Sequence, residues 1–242
     1  MKPIAFGAVA AAALFLSAQQ GLSATVSLTI DDFDSFQEVK DTPSAISTNA
    51  SELADPAVLG GYRDLSIENT AATGSTVEAT ELSSDSGLLS FSNIAGARGR
   101  GYITYDGNDS PMSVDTTGLG GINLDIGIDP YFAFDVAYFD RDVFIMIQAW
   151  DMFGNTVSYA ETLTAGFNPN LPFTDLTGDP GFDWTQVGAL QFFVDSTSTD
   201  VSVDGQLYSI KVIATEIPLP ASGLLLLAGV AGVPLLRRRK KA

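Results

Sequence analysis

Residues 132–150 read FAFDVAYFDRDVFIMIQAW, two apolar runs of strand length, 132–139 and 143–150, separated by the charged triplet Asp140-Arg141-Asp142. Runs rich in Phe, Val, Ile and Tyr with a polar tip between them read as β-strands, so the stretch predicts a strand pair joined by a charged hairpin tip. Side chains alternate between the faces of a strand. This sets Val143, Ile145, Ile147 and Ala149 on one side of the second run, with Phe144, Met146, Gln148 and Trp150 on the other. Both sides are largely apolar, which marks a central strand covered on each face.

The same reading extends outward. Strand-like runs at 26–30, 62–68, 75–82, 88–92, 101–105, 156–163, 187–194 and 208–214 are separated by turn signals at Asp85-Ser86-Gly87, Asp106-Gly107-Asn108, Phe153-Gly154-Asn155 and Asp204-Gly205. Residues 38–55 are polar and small and read as a long loop. There is no internal repeat, and between the two chain ends no segment has the length and 3.6-residue period of a long helix. Short strands without helices predict an all-β domain, an antiparallel β-sandwich of jelly-roll type with two sheets packed face to face.

The chain ends differ in kind. Lys2, an apolar run over 4–16 and small residues through Ala24 follow the order of a secretory signal peptide, cleaved after Ala24 or, alternatively, after Ala18. The run is short of the roughly 20 apolar residues that span hydrocarbon. At the other end, residues 223–236 carry no charge and are followed at once by Arg237, Arg238, Arg239, Lys240 and Lys241. A positive cluster stays cytoplasmic, so this tail reads as a stop-transfer segment, with Pro218, Pro220 and Pro234 making it a marginal transmembrane helix. The chain divides into a signal peptide (1–24), a β-sandwich domain (25–216) and a C-terminal segment (217–242).

All 29 acidic residues lie within 25–216 beside only six of the 12 basic ones, a formal charge near −23 for that segment against −17 for the chain. Such a surface repels nucleic acid and anionic lipid and suits loops that collect divalent cations. There is no His and no Cys. Their absence excludes Ser-His-Asp and Cys-His catalysis and the usual zinc sites, and leaves stability to packing without disulfides. Carboxylate chemistry stays open, because a glycosidase needs only two suitably spaced acids, and Asp135, Asp140, Asp142 and Asp151 are the nearest such cluster.

Ile217, Pro218, Leu219, Pro220 and Ala221, then a short Leu/Gly/Ala/Val segment, then the basic tail, resemble the VPLPA variant of PEP-CTERM sorting signals, with Ile in place of the first Val. The resemblance implies an exported protein of a Gram-negative bacterium, held transiently in the inner membrane by its tail. It also implies two processing partners, a signal peptidase and an exosortase, the latter a membrane-embedded cysteine transpeptidase, and delivery to the cell envelope, outer surface or extracellular matrix. A second resemblance rests on Ile30-Asp31-Asp32-Phe33, Leu59-Gly60-Gly61-Tyr62-Arg63-Asp64 and the closing strands. These are similar to galactose-binding-like jelly rolls, carbohydrate-binding modules among them, and imply a non-catalytic module for extracellular polysaccharide.

Several residues offer sites. Asp31 and Asp32 at the domain's start and Asp204 near its end supply hard oxygens for a structural Ca²⁺ if the first and last strands pair; otherwise they are solvated turn residues. Asp106-Gly107-Asn108-Asp109-Ser110 begins like a calcium loop, but Pro111 stands where Gly is required and Thr117 where Glu is, so it is no EF-hand. Trp150 and Gln148 read either as covered packing or as a sheet face on which a ring stacks on sugar. Arg98 and Arg100 in AGARGRGY (95–102) read as an internal salt bridge or a clamp for an acidic sugar. The expected function is that of an exported, non-enzymatic envelope or matrix module; the alternative is a glycan-active enzyme using paired carboxylates.

Overall fold

The computed structural model describes residues 24–41, 47–70, 80–94, 98–164, 169–197 and 203–216. Their strands are β1 (Thr25–Asp31), β2 (Gln37–Lys40), β3 (Ser47–Ala54), β4 (Tyr62–Asn69), β5 (Thr80–Asp85), β6 (Leu88–Asn93), β7 (Gly99–Tyr105), β8 (Ile128–Phe139), β9 (Val143–Asp151), β10 (Thr156–Leu163), β11 (Asn170–Pro172), β12 (Thr177–Gly178), β13 (Val187–Asp195) and β14 (Val203–Thr215). They form an antiparallel β-sandwich of jelly-roll type. One seven-stranded sheet runs β11-β8-β14-β6-β5-β2 with β1 added against β14, and the other runs β12-β10-β9-β13-β7-β4-β3. Alternate side chains point inward and close one core, with Phe91, Phe132, Ile210 and Val212 from the first sheet and Leu65, Ile67, Ile103, Ile147, Leu190 and Phe192 from the second. The Phe132 and Phe192 rings meet across it, edge to face, at 5.8 Å.

The stretch 132–150 is not a hairpin. β8 pairs with β14 and β11, β9 pairs with β10 and β13, and Asp140-Arg141-Asp142 carries the chain from one sheet to the other. Both runs have an apolar inner face, but each pairs with other strands of its own sheet, and the two runs face each other across the sandwich. β9 is interior to its sheet, as its two apolar faces predict.

Two other readings change. Residues 38–55 contain β2 and β3, which are the edge strands of the two sheets, where polar and charged side chains are the rule. Asp204-Gly205 lies inside β14 and not in a turn: the Phe139 ring occupies the place a Cβ on residue 205 would need, 2.1 Å away. Of the strand expected over 75–82, residues 80–82 lie in β5, and residues 75–79 are outside the described set. The turn at Asp85-Ser86-Gly87 joins β5 to β6 with positive φ at Ser86 and Gly87, as a tight hairpin requires, and β1 does pair with β14. The expected signal peptide before Ala24 and the motif and tail over 217–242 lie outside the described residues. Among those described, no helix is long and apolar enough to cross a membrane.

One polar group is built into the core. Arg63 on β4 is fully buried, and every one of its N–H groups has an acceptor. Nε donates to Gln37 Oε1 (2.8 Å), Nη1 to both Asp31 oxygens (3.1 and 2.9 Å), and Nη2 to the Ser35 carbonyl (3.0 Å) and Ser84 Oγ (2.6 Å). Asp31 also accepts from the Tyr105 hydroxyl (2.9 Å) and the Phe33 N–H (2.7 Å). Burial raises the Asp31 carboxyl above its ordinary range, against the pull of the Arg63 charge and these donors. Phe33 sits at φ 57°, a conformation costing about 1–3 kcal/mol for a bulky residue, with its ring 5.6 Å from the guanidinium carbon.

A second buried carboxylate orders the far end of β9. Asp151 accepts from the backbone N–H of Phe153 (2.9 Å), Asn155 (2.9 Å) and Asp183 (3.0 Å) and from Asn155 Nδ2 (2.8 Å). Burial works to raise this carboxyl, but the Asn155 side chain and the backbone donors together hold it below the usual carboxylate range.

Two outcomes follow for stability. Arg63→Met leaves Asp31 buried without its counter-charge and is expected to cost about 3–5 kcal/mol in denaturant unfolding, with part of the loss recovered in Arg63→Met/Asp31→Asn. An exposed-site cost below 1 kcal/mol would contradict the network. For Asp151, a depressed folded-state pKa means a contribution fully present above the unfolded value near 4 and lost as pH falls through the folded one. Asp151→Asn should therefore be less stable than wild type at pH 7 by about 1–3 kcal/mol, with the gap closing toward pH 2 in parallel urea titrations.

Candidate functional site

The register of the second sheet lays its outward side chains in rows. One row runs Gln148, Gln191, Thr104, Asp64 and Glu52 across β9, β13, β7, β4 and β3. The next runs Met146, Phe193, Tyr102 and Ser66, and a third Phe144, Asp195, Arg100 and Glu68. After β7 the chain leaves the sheet at Asp106 and crosses back over this face. It docks on the start of β13, where Leu119 N–H donates to the Gly188 carbonyl (2.9 Å) and Ile122 bridges Val187. Beneath this crossing lies a groove of about 210 Å³, floored by Thr48, Ser66, Glu68, Tyr102, Thr104 and Gln191 and walled by Pro111, Met112, Ser113 and Val114. It is smaller than the roughly 300–1,000 Å³ of sites that enclose a drug-sized ligand.

The groove combines rings with fixed polar groups. The Tyr102 ring leans on Phe193 with centroids 4.9 Å apart, and Met112 on the wall is 59% exposed. Gln191 Nε2 donates to Thr104 Oγ1 (3.0 Å), which fixes the orientation of that amide. Arg100 is held between Glu68 (Nη1 to Oε2, 3.2 Å) and Asp195 (Nε to Oδ2, 3.2 Å), the internal salt bridge that was one of its two sequence readings. Burial and the Glu68 charge raise the Tyr102 hydroxyl pKa, so it stays a neutral donor and acceptor.

At the end of the first row the polarity changes. Asp64 is 2% exposed, and no N–H or hydroxyl group reaches either of its oxygens; its polar neighbour is the Asp106 carboxyl. Burial, together with the charges of Asp106, Glu52 and Asp109, pushes its carboxyl up to about 8. Asp106 is 1% exposed and is pushed up to about 6, chiefly by burial. Its Oδ2 accepts from Asp115 N–H (2.8 Å), whereas its Oδ1 has no donor. Glu52, Asp64 and Asp109 each place a carboxylate oxygen within 4.8 Å of the other two.

Of the residues expected to form sites, Gln148 and Trp150 lie on this outer face, half-buried, with Gln148 next to Gln191 in its row. Asp31, Asp32 and Asp204 do not come together. Asp31 is taken by Arg63, Asp32 is exposed, and Asp204 lies six positions along β14 from Ile210, the partner of Asp31, about 20 Å away at strand rise. Asp204 instead meets the sheet-to-sheet crossing, where its N–H donates to Asp140 Oδ1 (2.8 Å). Asp140 and Asp142 stand at the opposite end of β9 from Asp151, about 30 Å at strand rise, and Asp135 is exposed on β8 in the other sheet, so Asp151 stands apart from the other three acids. The residues that sequence reasoning missed are Tyr102 and Gln191 in the groove and Glu52, Asp64, Asp106 and Asp109 beside it. Their only advance signal was the acid-rich turn at 106–109.

No family model matches the chain, and no curated protein matches it. Among solved structures it is similar to an agarase, AgWH50C, with TM-score 0.41 and 11% identity over 79% of this chain and 25% of that one. It is also similar to the family 30 carbohydrate-binding module of the cellulosomal cellulase CEL9D-CEL44B of Clostridium thermocellum, with TM-score 0.36 and 14% identity over 80% of this chain and 99% of that one. A third is TmCBM61 in complex with β-1,4-galactotriose, with TM-score 0.33 and 9% identity over 76% of this chain and 91% of that one. The chain thus spans about a quarter of the agarase. These scores lie below the level of a shared fold, so the site is argued from its own residues.

Proposed function

We propose that this chain is a non-catalytic carbohydrate-binding module whose ligand is a neutral extracellular polysaccharide. The observation that carries the reading is the groove on the second sheet, with ring and thioether surface from Tyr102 and Met112 beside the fixed amide of Gln191 and the hydroxyl of Thr104. Apolar sugar faces pack on the former, and sugar hydroxyls exchange hydrogen bonds with the latter. A neutral ligand is favoured because Arg100 is already neutralised by Glu68 and Asp195, and the domain around it is strongly acidic. Gln148 and Trp150 extend the same face beyond the groove and suit a chain longer than one sugar residue.

The chain ends supply the setting. A leader removed after Ala24 and the Ile217 to Ala221 motif with its apolar segment and basic tail support export, processing by signal peptidase and an exosortase-type transpeptidase, and placement in the envelope or extracellular matrix.

On an array of neutral and acidic glycans, segment 25–216 is expected to bind neutral polymers. Tyr102→Ala and Gln191→Ala should each weaken that binding about tenfold, the effect of losing about 1.4 kcal/mol, and Lys211→Ala on the other sheet should not. Binding confined to acidic glycans, or untouched by both groove substitutions, would overturn the reading. For sorting, residues 217–242 fused to an exported reporter should be cleaved in an exosortase-bearing host and left uncleaved when Ile217 to Ala221 are replaced. Identical processing of both fusions would sink the sorting assignment.

A further inference from the structure

Asp31 and Asp64 are both buried carboxylates, 1% and 2% exposed, and the fold treats them oppositely. Asp31 has a guanidinium, a phenol and a backbone N–H; Asp64 has only other carboxylates as its neighbours in charge. A buried carboxylate is tolerated when it is paired or when it coordinates a metal. Among the described residues no N–H, hydroxyl or cationic group supplies the pairing: both Asp64 oxygens, Asp106 Oδ1 and Asp109 Oδ1 lack one, and Asp64 has only the Asp106 carboxyl beside it.

We infer that Glu52, Asp64, Asp106 and Asp109 form a Ca²⁺ site, and that the bound ion fastens the start of the crossing segment to the sheet and so completes the groove wall. The size is right. Ca²⁺ holds oxygens at roughly 2.3–2.6 Å, so ligands on opposite sides stand about 5 Å apart, and one ion can touch the oxygens of Glu52, Asp64 and Asp109 that lie within 4.8 Å of one another. The donors are right as well, being hard carboxylate oxygens with no imidazole or thiolate in the chain to favour zinc.

The position ties the ion to the groove. Glu52 and Asp64 are fixed by the pairing of β3 with β4, whereas Asp106 and Asp109 belong to the segment that leaves β7. Two hydrogen bonds already sketch the link: Asp109 N–H donates to Glu52 Oε2 (2.9 Å) and Asp115 N–H to Asp106 Oδ2 (2.8 Å). Pro111 to Val114, the wall residues, lie between those two attachment points. An ion bound at the four acids therefore joins sheet and wall at the point where the acids alone repel one another. Ion binding stands apart from the glycan reading; only the effect on the groove rests on it.

The test is calorimetric titration of CaCl₂ into the chelator-stripped full chain, with melting followed in parallel. One Ca²⁺ per chain should bind. At a free concentration 100-fold above its Kd the melting temperature should rise by about 5–10 °C. Asp64→Asn should abolish both effects and, in chelator, melt no lower than wild type, because it replaces a buried carboxyl surrounded only by other acids. Asp32→Asn and Asp204→Asn should respond as wild type does. An equal response to Mg²⁺, or to Na⁺ at matched ionic strength, overturns the assignment, and so does a Ca²⁺ response that survives in Asp64→Asn. Calcium binding with unaltered affinity for a neutral glycan would keep the site and overturn its link to the groove wall.

Discussion

Five N–H groups on one buried guanidinium set the terms on which the two sheets meet. Arg63 belongs to the second sheet, yet its acceptors come from β1, β2, β5 and the turn after β1, all parts of the first. A charge taken out of water is costly unless all its donors are used, and here the required geometry involves every one of these elements at once. The bend at Asp31 to Phe33, with its positive φ, and the placement of the edge strand β2 through Gln37 are conditions for satisfying that single side chain. The hydrophobic core would hold two sheets together in many registers. The guanidinium accepts one.

The next residue shows the opposite case. Alternation along β4 turns Arg63 inward and Asp64 outward, so neighbours in the chain serve different faces. Inside, charge is matched atom by atom. Outside, under the segment that crosses from β7 to β13, acids collect with no base among them, while one row away rings, amides and hydroxyls line an open groove. The sandwich therefore keeps specificity of packing on one side of a strand and recognition on the other.

Much of this architecture was legible in advance. The alternation in 143–150 identified an interior strand and set Gln148 and Trp150 on the face opposite Ile145 and Ile147, because period-two patterning is local and the core enforces it. Pairing partners were not legible. Whether 132–139 folds back on 143–150 or crosses to another sheet depends on which distant strands compete for it, and β14, more than sixty residues on, is the partner that β8 takes. The edge strands β2 and β3 were hidden by the polar composition that edges favour. The groove and the acidic cluster were invisible for a related reason. Glu52, Asp64 and Thr104 become neighbours only through the β3–β4 and β4–β7 registers, and a one-residue slip in either would scatter them. Asp31 and Asp204 misled because the expected pairing of first and last strands is real, but its register sets them far apart.

That last strand carries one more implication. β14 is thirteen residues long and lies against β1, β6 and β8, so the middle of the first sheet is made from the final segment of the domain to leave the ribosome. Until it arrives, β1 has no strand partner among the described residues, and β6 and β8 lack the strand that joins them. Sheets completed by such distant pairings close slowly, since the entropy of a long loop is lost before contacts compensate it. A chain built in this order leaves its first sheet incomplete until the end of its synthesis.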